Sequence, residues 1–210
     1  MATTTTNYGF DIPQSTDLVK DGATAIATLG QDIDTAMNTA LGTKKAGMVL
    51  LNTTSFSAVA STSAPNDTFT STYDSYRVVL RLSSVSTTTD IRMRYRAAGS
   101  DNTTNNYYAT WLGVNTVSDA TLYMRSGQQT SGYLNTQNTS GAKVWSFDIH
   151  NPKLTALTQL FGHHMDNGSL VAYNGGIGFN ATTSFDSFSF FTVTGASTMT
   201  GDVQVYGYNK

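Results

Sequence analysis

The sequence predicts a mainly β fold in which an N-terminal arm and a single α-helix precede an antiparallel β-sandwich of jelly-roll type. Three observations predict it. After Gly47, apolar and polar residues alternate with a period of two in short runs separated by turn residues, the pattern of strands with one buried face. The only heptad-spaced stretch lies before Gly47. All 14 acidic residues are Asp, so Glu, a favoured residue of exposed helices, is missing. Without crossover helices a parallel α/β fold is excluded, and packed antiparallel sheets remain.

Taken in order, residues 1–14 are a Thr-rich lead followed by an apolar-polar mixture with no sustained period, and are expected to form an extended arm that orders against a partner. Within it Tyr8, Phe10 and Ile12 are the candidate anchoring side chains. Residues 15–46 form the helical segment. Val19, Ile26, Ile33 and Ala40 are seven apart, and Gly22, Leu29 and Ala36 each follow by three, which makes a seam of small and apolar residues. Ser15, Thr16 or Asp17 can cap its start, and Gly42 with Lys44 and Lys45 fits its end. A helix holding Gly22 and several Thr is marginal alone, so Val19, Ile26, Leu29 and Ile33 are expected to meet sister copies.

Residues 47–210 form the sandwich. Its strands are expected near 48–52, 76–82, 91–97, 107–114, 121–125, 143–149, 158–164, 170–173, 185–194 and 202–208. Gly99-Ser100-Asp101-Asn102, Asp166-Asn167-Gly168 and Asn174-Gly175-Gly176 read as turns between them.

Composition narrows the function classes. Only 12% of residues are charged, against about 25% in ordinary soluble proteins, and the net charge is -2. A nucleic-acid binder draws its affinity from cations that neutralise phosphates, so that class is not expected. No apolar run has the length of a membrane span, and residues 1–10 lack the pattern of a secretory leader. Membrane insertion is not expected, and a cytoplasmic start with release by lysis is. The absence of Cys removes disulfides and thiolate metal sites.

Chemistry-bearing motifs are sparse. No phosphate loop or Gly-x-Ser-x-Gly elbow occurs. Adjacent strand residues point to opposite faces, so His163 and His164 do not share a metal. Asp166-Asn167-Gly168 lacks the EF-hand spacing of a calcium loop. We expect no catalytic residue, cofactor or metal; an Asp-based glycan hydrolase is the enzymatic alternative, since Asp pairs alone could supply its two carboxylates.

Two groups are candidates for surface recognition. Arg92, Arg94 and Arg96 share a strand face, and Arg77 and Arg81 share a face of the preceding strand. If those strands pair, five like charges converge and need neutralising, either by Asp74, Asp148, Asp186 or Asp202 or by an anionic partner such as an acidic host glycan. Tyr107, Tyr108 and Trp111 sit in a stretch rich in Asn, Thr and Ser, a composition suited to sugars and adaptable protein contacts, with packing inside the sandwich as the other reading.

Asn7-Tyr8-Gly9-Phe10 with Pro13, then Thr16-Asp17-Leu18-Val19-Lys20-Asp21-Gly22-Ala23 and Ile26 through Leu29 to Ile33-Asp34, resembles the leading segment of tailed-bacteriophage minor tail and fibre proteins. Tyr73-Asp74-Ser75-Tyr76-Arg77, Phe147-Asp148-Ile149-His150-Asn151-Pro152 and the closing residues 199–210 look like parts of a phage-appendage sandwich. The resemblance implies a virion structural protein and no enzyme: a homotrimer anchored by its N-terminus to other virion proteins of the tail or baseplate. Its sandwich would point outward, where it could contact a host cell-surface glycan. A trimeric capsid decoration protein or head fibre fits the same plan.

Overall fold

The computed structural model describes residues 3–6, 9–12, 19–42, 47–115, 118, 121–139, 141–166, 171–193 and 196–209. The chain divides into two compact units, Met1–Gly47 and Met48–Lys210.

In the first unit, β1 (Thr3–Thr4) pairs with β2 (Asp11–Ile12), and α1 spans Val19–Gly42. Within the expected arm the two short strands pair with each other. Thr5 N–H donates to the Phe10 carbonyl at 2.8 Å, and Phe10 N–H donates back to Thr5 Oγ1 at 2.9 Å, so the segment turns on itself. Gly9, at φ 67°, takes the left-handed conformation that this turn requires. Asn7, Tyr8 and the capping candidates Ser15, Thr16 and Asp17 lie outside the described residues, as do Lys44 and Lys45.

The second unit is an antiparallel β-sandwich. In chain order its strands are β3 (Met48–Val59), β4 (Ser61–Ser63), β5 (Ser75–Val85), β6 (Thr89–Ala97), β7 (Ser100–Asp101), β8 (Tyr107–Asn115), β9 (Thr121–Gln129) and β10 (Gly132–Gln137). There follow β11 (Lys143–His150), β12 (Thr158–Asp166), β13 (Val171–Phe179), β14 (Ser187–Thr192) and β15 (Met199–Tyr208). The larger sheet runs β3-β15-β5-β11-β12-β13-β8-β9; the smaller runs β10-β6-β14-β4, with β7 on β6.

The alternation seen in the sequence is the alternation of burial. β5 turns Tyr76, Val78, Leu80 and Leu82 inward, and β11 does the same with Trp145, Phe147 and Ile149. Phe188 and Phe190 of β14 face them from the smaller sheet, with the Phe147 and Phe190 rings 6.1 Å apart. Each such side chain taken from water contributes about 1.5–3 kcal/mol, which is what holds two sheets with so few charges together. At one end Tyr95, Tyr107, Phe179 and Phe185 interlock with ring centroids 4.9–6.1 Å apart, in edge-on and stacked arrangements.

One open condition is resolved and one expectation corrected. Consecutive strands β5 and β6 do not pair as a hairpin; each belongs to a different sheet, because each has one fully apolar face and the two faces meet across the core. Asn174-Gly175-Gly176 is no turn but the middle of β13. The neighbouring strands press close there: a Cβ on Gly175 would stand 2.1 Å from the Thr110 carbonyl oxygen, and one on Gly176 2.3 Å from that of Leu160. Glycine is needed for close approach rather than for bending. Gly99, at φ 77° beside Ala98 at 49°, does make the expected turn, between β6 and β7.

Candidate functional site

The arginine stripe is spread over both outer faces and neutralised within the chain. On the larger sheet the Arg77 guanidinium forks onto Asp148, with Nε and Nη2 donating at 2.8 and 2.7 Å, and the Tyr208 hydroxyl donates to the same carboxylate at 2.7 Å. Partial burial alone would raise the Asp148 carboxyl, but Arg77 and Tyr208 outweigh it and hold the group below its ordinary value. Arg81 binds Asp202 at 2.7 Å.

On the smaller sheet Arg92 meets Asp90 at 3.1 Å, while Arg94 and Arg96 share Asp101 at 3.8 and 3.2 Å. Arg94 also donates to the Thr130 carbonyl and lies 4.4 Å over the Phe191 ring. The small Ser187 and Ser189, opposite Arg96 and Arg94 on β14, leave room for these side chains to lie along the sheet.

The aromatic group divides by strand phase. Tyr107 and Trp111 are fully buried and belong to the core, which corrects their candidacy as recognition residues in favour of the packing alternative. Tyr107 sits in the aromatic cluster, its hydroxyl accepting from Tyr95 N–H and donating to the Asn102 carbonyl, both at 3.0 Å. Trp111 Nε1 donates to the Tyr133 carbonyl at 2.9 Å. Tyr108, in the other phase, is 40% exposed.

Of the two adjacent histidines, His163 points outward and His164 inward. His164 stacks on Trp145 at 4.1 Å and Tyr173 at 5.5 Å. Its Nδ1 lies 3.2 Å from the Val144 carbonyl, which only accepts, so Nδ1 carries the proton and Nε2 accepts from Gln137 at 3.4 Å. Among the described residues no group of three His or Asp side chains is placed to hold a metal.

On α1, Ile26 is 67% exposed, Ile33 40% and Met37 55%, whereas Leu29 is half-buried. Val19 begins the helix, and its side chain lies outside the described ones. In the hairpin Phe10 is half-buried and Ile12 exposed. Among the described residues, no helix is long and apolar enough to cross a membrane.

A feature not foreseen from the sequence is a trough on the outer face of the larger sheet. β13 turns Val171, Tyr173, Ile177 and Phe179 into the core and leaves Ala172, Asn174, Gly176 and Gly178 outside. Its neighbours β8 and β12 project larger side chains on that face. The registers set Tyr108 and Gln159 on either side of Gly178, Thr110 and Phe161 on either side of Gly176, and Leu112 and His163 on either side of Asn174.

With strands about 4.8 Å apart the walls stand roughly 9–10 Å from each other, and four outward rungs extend about 20 Å. At the Gly178 end the trough opens into a depression of about 320 Å³ bounded by Tyr108 and Gln159, with Leu157 and Asn180 at its end. A Cβ built on Gly178 meets nothing within 4 Å, so this floor is open space. Phe161 is 64% exposed on the opposite wall. Neither floor nor walls contain Asp, Lys or Arg. The sequence did carry a signal: in β13 one phase holds Val171, Tyr173, Ile177 and Phe179 around Gly175, and the other only Ala172, Asn174, Gly176 and Gly178.

No family model and no curated protein matches the chain. Among solved structures the galectin LEC-6 of Caenorhabditis elegans is similar at 9% identity and a TM-score of 0.29, covering 78% of this chain and 96% of that one.

Proposed function

We propose that the chain is a non-enzymatic structural protein of a phage virion, a homotrimeric tail-fibre or baseplate appendage held by its N-terminal segment, with the β-sandwich outward to meet the host surface. The observation that carries this reading is the uncovered apolar seam of α1, on which Ile26 and Ile33 face water in the single chain. A helix of modest propensity with such a seam gains its stability by packing, and two further copies supply matching seams. Phe10 and Ile12, with Tyr8, are the side chains offered to the anchoring virion protein.

A binding mechanism is supported by the state of the carboxylates. Asp90, Asp101, Asp148 and Asp202 each hold an arginine, which leaves them engaged rather than poised for acid-base work. Three outward sandwiches on one stalk would bind a repetitive surface with avidity even where each contact is weak.

The test is made on particles. A chain lacking residues 1–14, supplied in place of the full chain, is expected to leave tails without it, and an antibody to the sandwich is expected to label intact particles at the tail. Label confined to the head would replace this reading with that of a capsid decoration protein. Particles devoid of label would overturn both.

A further inference from the structure

We propose that the trough over β13 binds a neutral oligosaccharide, with Tyr108 and Phe161 as stacking surfaces and Gln159 and Asn180 as hydrogen-bonding partners. This deepens the reading of the sandwich as the half that meets the host and rests on it only for the physiological source of the sugar.

Charge is the first argument. The trough itself has no carboxylate, ammonium or guanidinium group, so no permanent counter-charge in it would recompense an acidic sugar for desolvation. The second is chemistry. A pyranose has apolar C–H faces and a rim of hydroxyls, and it needs flat apolar surfaces beside side chains that both donate and accept. The exposed Tyr108 ring, the Gln159 and Asn180 amides at the Gly178 end and the Phe161 ring one rung along supply that combination.

Shape is the third. Gly178 and Gly176 strip the floor of side chains between walls about 9–10 Å apart, and the depression of about 320 Å³ holds one or two sugar rings. The floor is also stiff, because Ile177 and Phe179 fix β13 to the core from below, so little ordering entropy is lost on binding. An extended peptide is the less suitable occupant. β13 is paired on both sides, to β12 and β8, and offers no free edge for main-chain hydrogen bonds.

The test probes an array of immobilised neutral and acidic glycans with the full-length chain, alongside Tyr108→Ala and Gly178→Val. The valine fills the floor where an added Cβ meets nothing, so its fold is expected to survive, and thermal melting of each variant verifies this. The expected result is retention on neutral glycans, competed by the free oligosaccharide and weakened about tenfold or more by either substitution with melting not lowered. Retention on acidic glycans alone, no retention on any glycan, or neutral binding untouched by both substitutions would each overturn the assignment. Light scattering on the same samples separates the two readings: a trimer without neutral-glycan binding overturns the trough alone, and a monomer that binds neutral glycan overturns the appendage reading while supporting the trough.

Discussion

Gly175 and Gly178 stand three residues apart on one strand, and opposite outcomes follow from substituting them. A methyl group on Gly175 would lie 2.1 Å from the Thr110 carbonyl oxygen and 2.7 Å from Trp111 Cα, both backbone atoms that move only if β8 moves. Gly175→Ala is expected to cost about 3 kcal/mol, and Gly178→Ala to stabilise by up to about 1 kcal/mol through a less flexible unfolded chain. Urea unfolding of the two proteins distinguishes them. Tyr95 presents a second case: its ring is wholly buried and its hydroxyl has no hydrogen-bond partner among the described residues. Tyr95→Phe removes a polar atom without opening a cavity and is expected to raise stability by about 1 kcal/mol in the same assay. Asp148 is the converse, since it accepts from both Arg77 and Tyr208; Asp148→Asn is expected to cost about 1 kcal/mol, the partial exposure of the pair moderating the loss.

Among the elements, α1 carries the proposal of a trimer, in which its seam would be buried. Ile26→Asp would place a carboxylate in the seam, where burial without a counter-ion is prohibitive, so the variant is expected to run as a monomer in sizing chromatography, with the sandwich folded and helical circular dichroism reduced. Sequence periodicity made α1 and most strands legible, because the burial of β5, β6, β8 and β11 reproduces the alternation of their residues. It did not reveal pairing. Alternation alone does not decide whether β5 and β6 pair, and the geometry of two apolar faces closing on each other separates them. The same limit hid the trough: its walls come from β8 and β12, far apart in the chain, and the small outward residues of β13 gain meaning only once those strands flank it. The polar neighbours of Tyr107 and Trp111 leave surface and core both open, and their odd-numbered phase, shared with Ala109, decides for the core. β10 escaped notice because its Asn, Thr and Gln carry no apolar alternation beyond Leu134.

At the scale of the whole molecule, a core rich in buried phenols makes stability sensitive to base. Burial raises Tyr95 and Tyr107 well above the ordinary value near 10, and Tyr76 to a lesser degree. Below pH 10 both folded and unfolded chains keep these groups neutral and the stabilisation is complete. Above it the unfolded chain ionises first, so stability is expected to fall as pH climbs from 10 toward the folded-state values, with tyrosinate absorbance appearing together with loss of structure. Assembly is the other molecular property, and it bears on the central claim that α1 joins three copies. The most direct measurement is the mass of the full-length chain in solution by multi-angle light scattering: the account predicts three times the 22.5 kDa of one chain, and a particle of 22.5 kDa at micromolar concentration would contradict it.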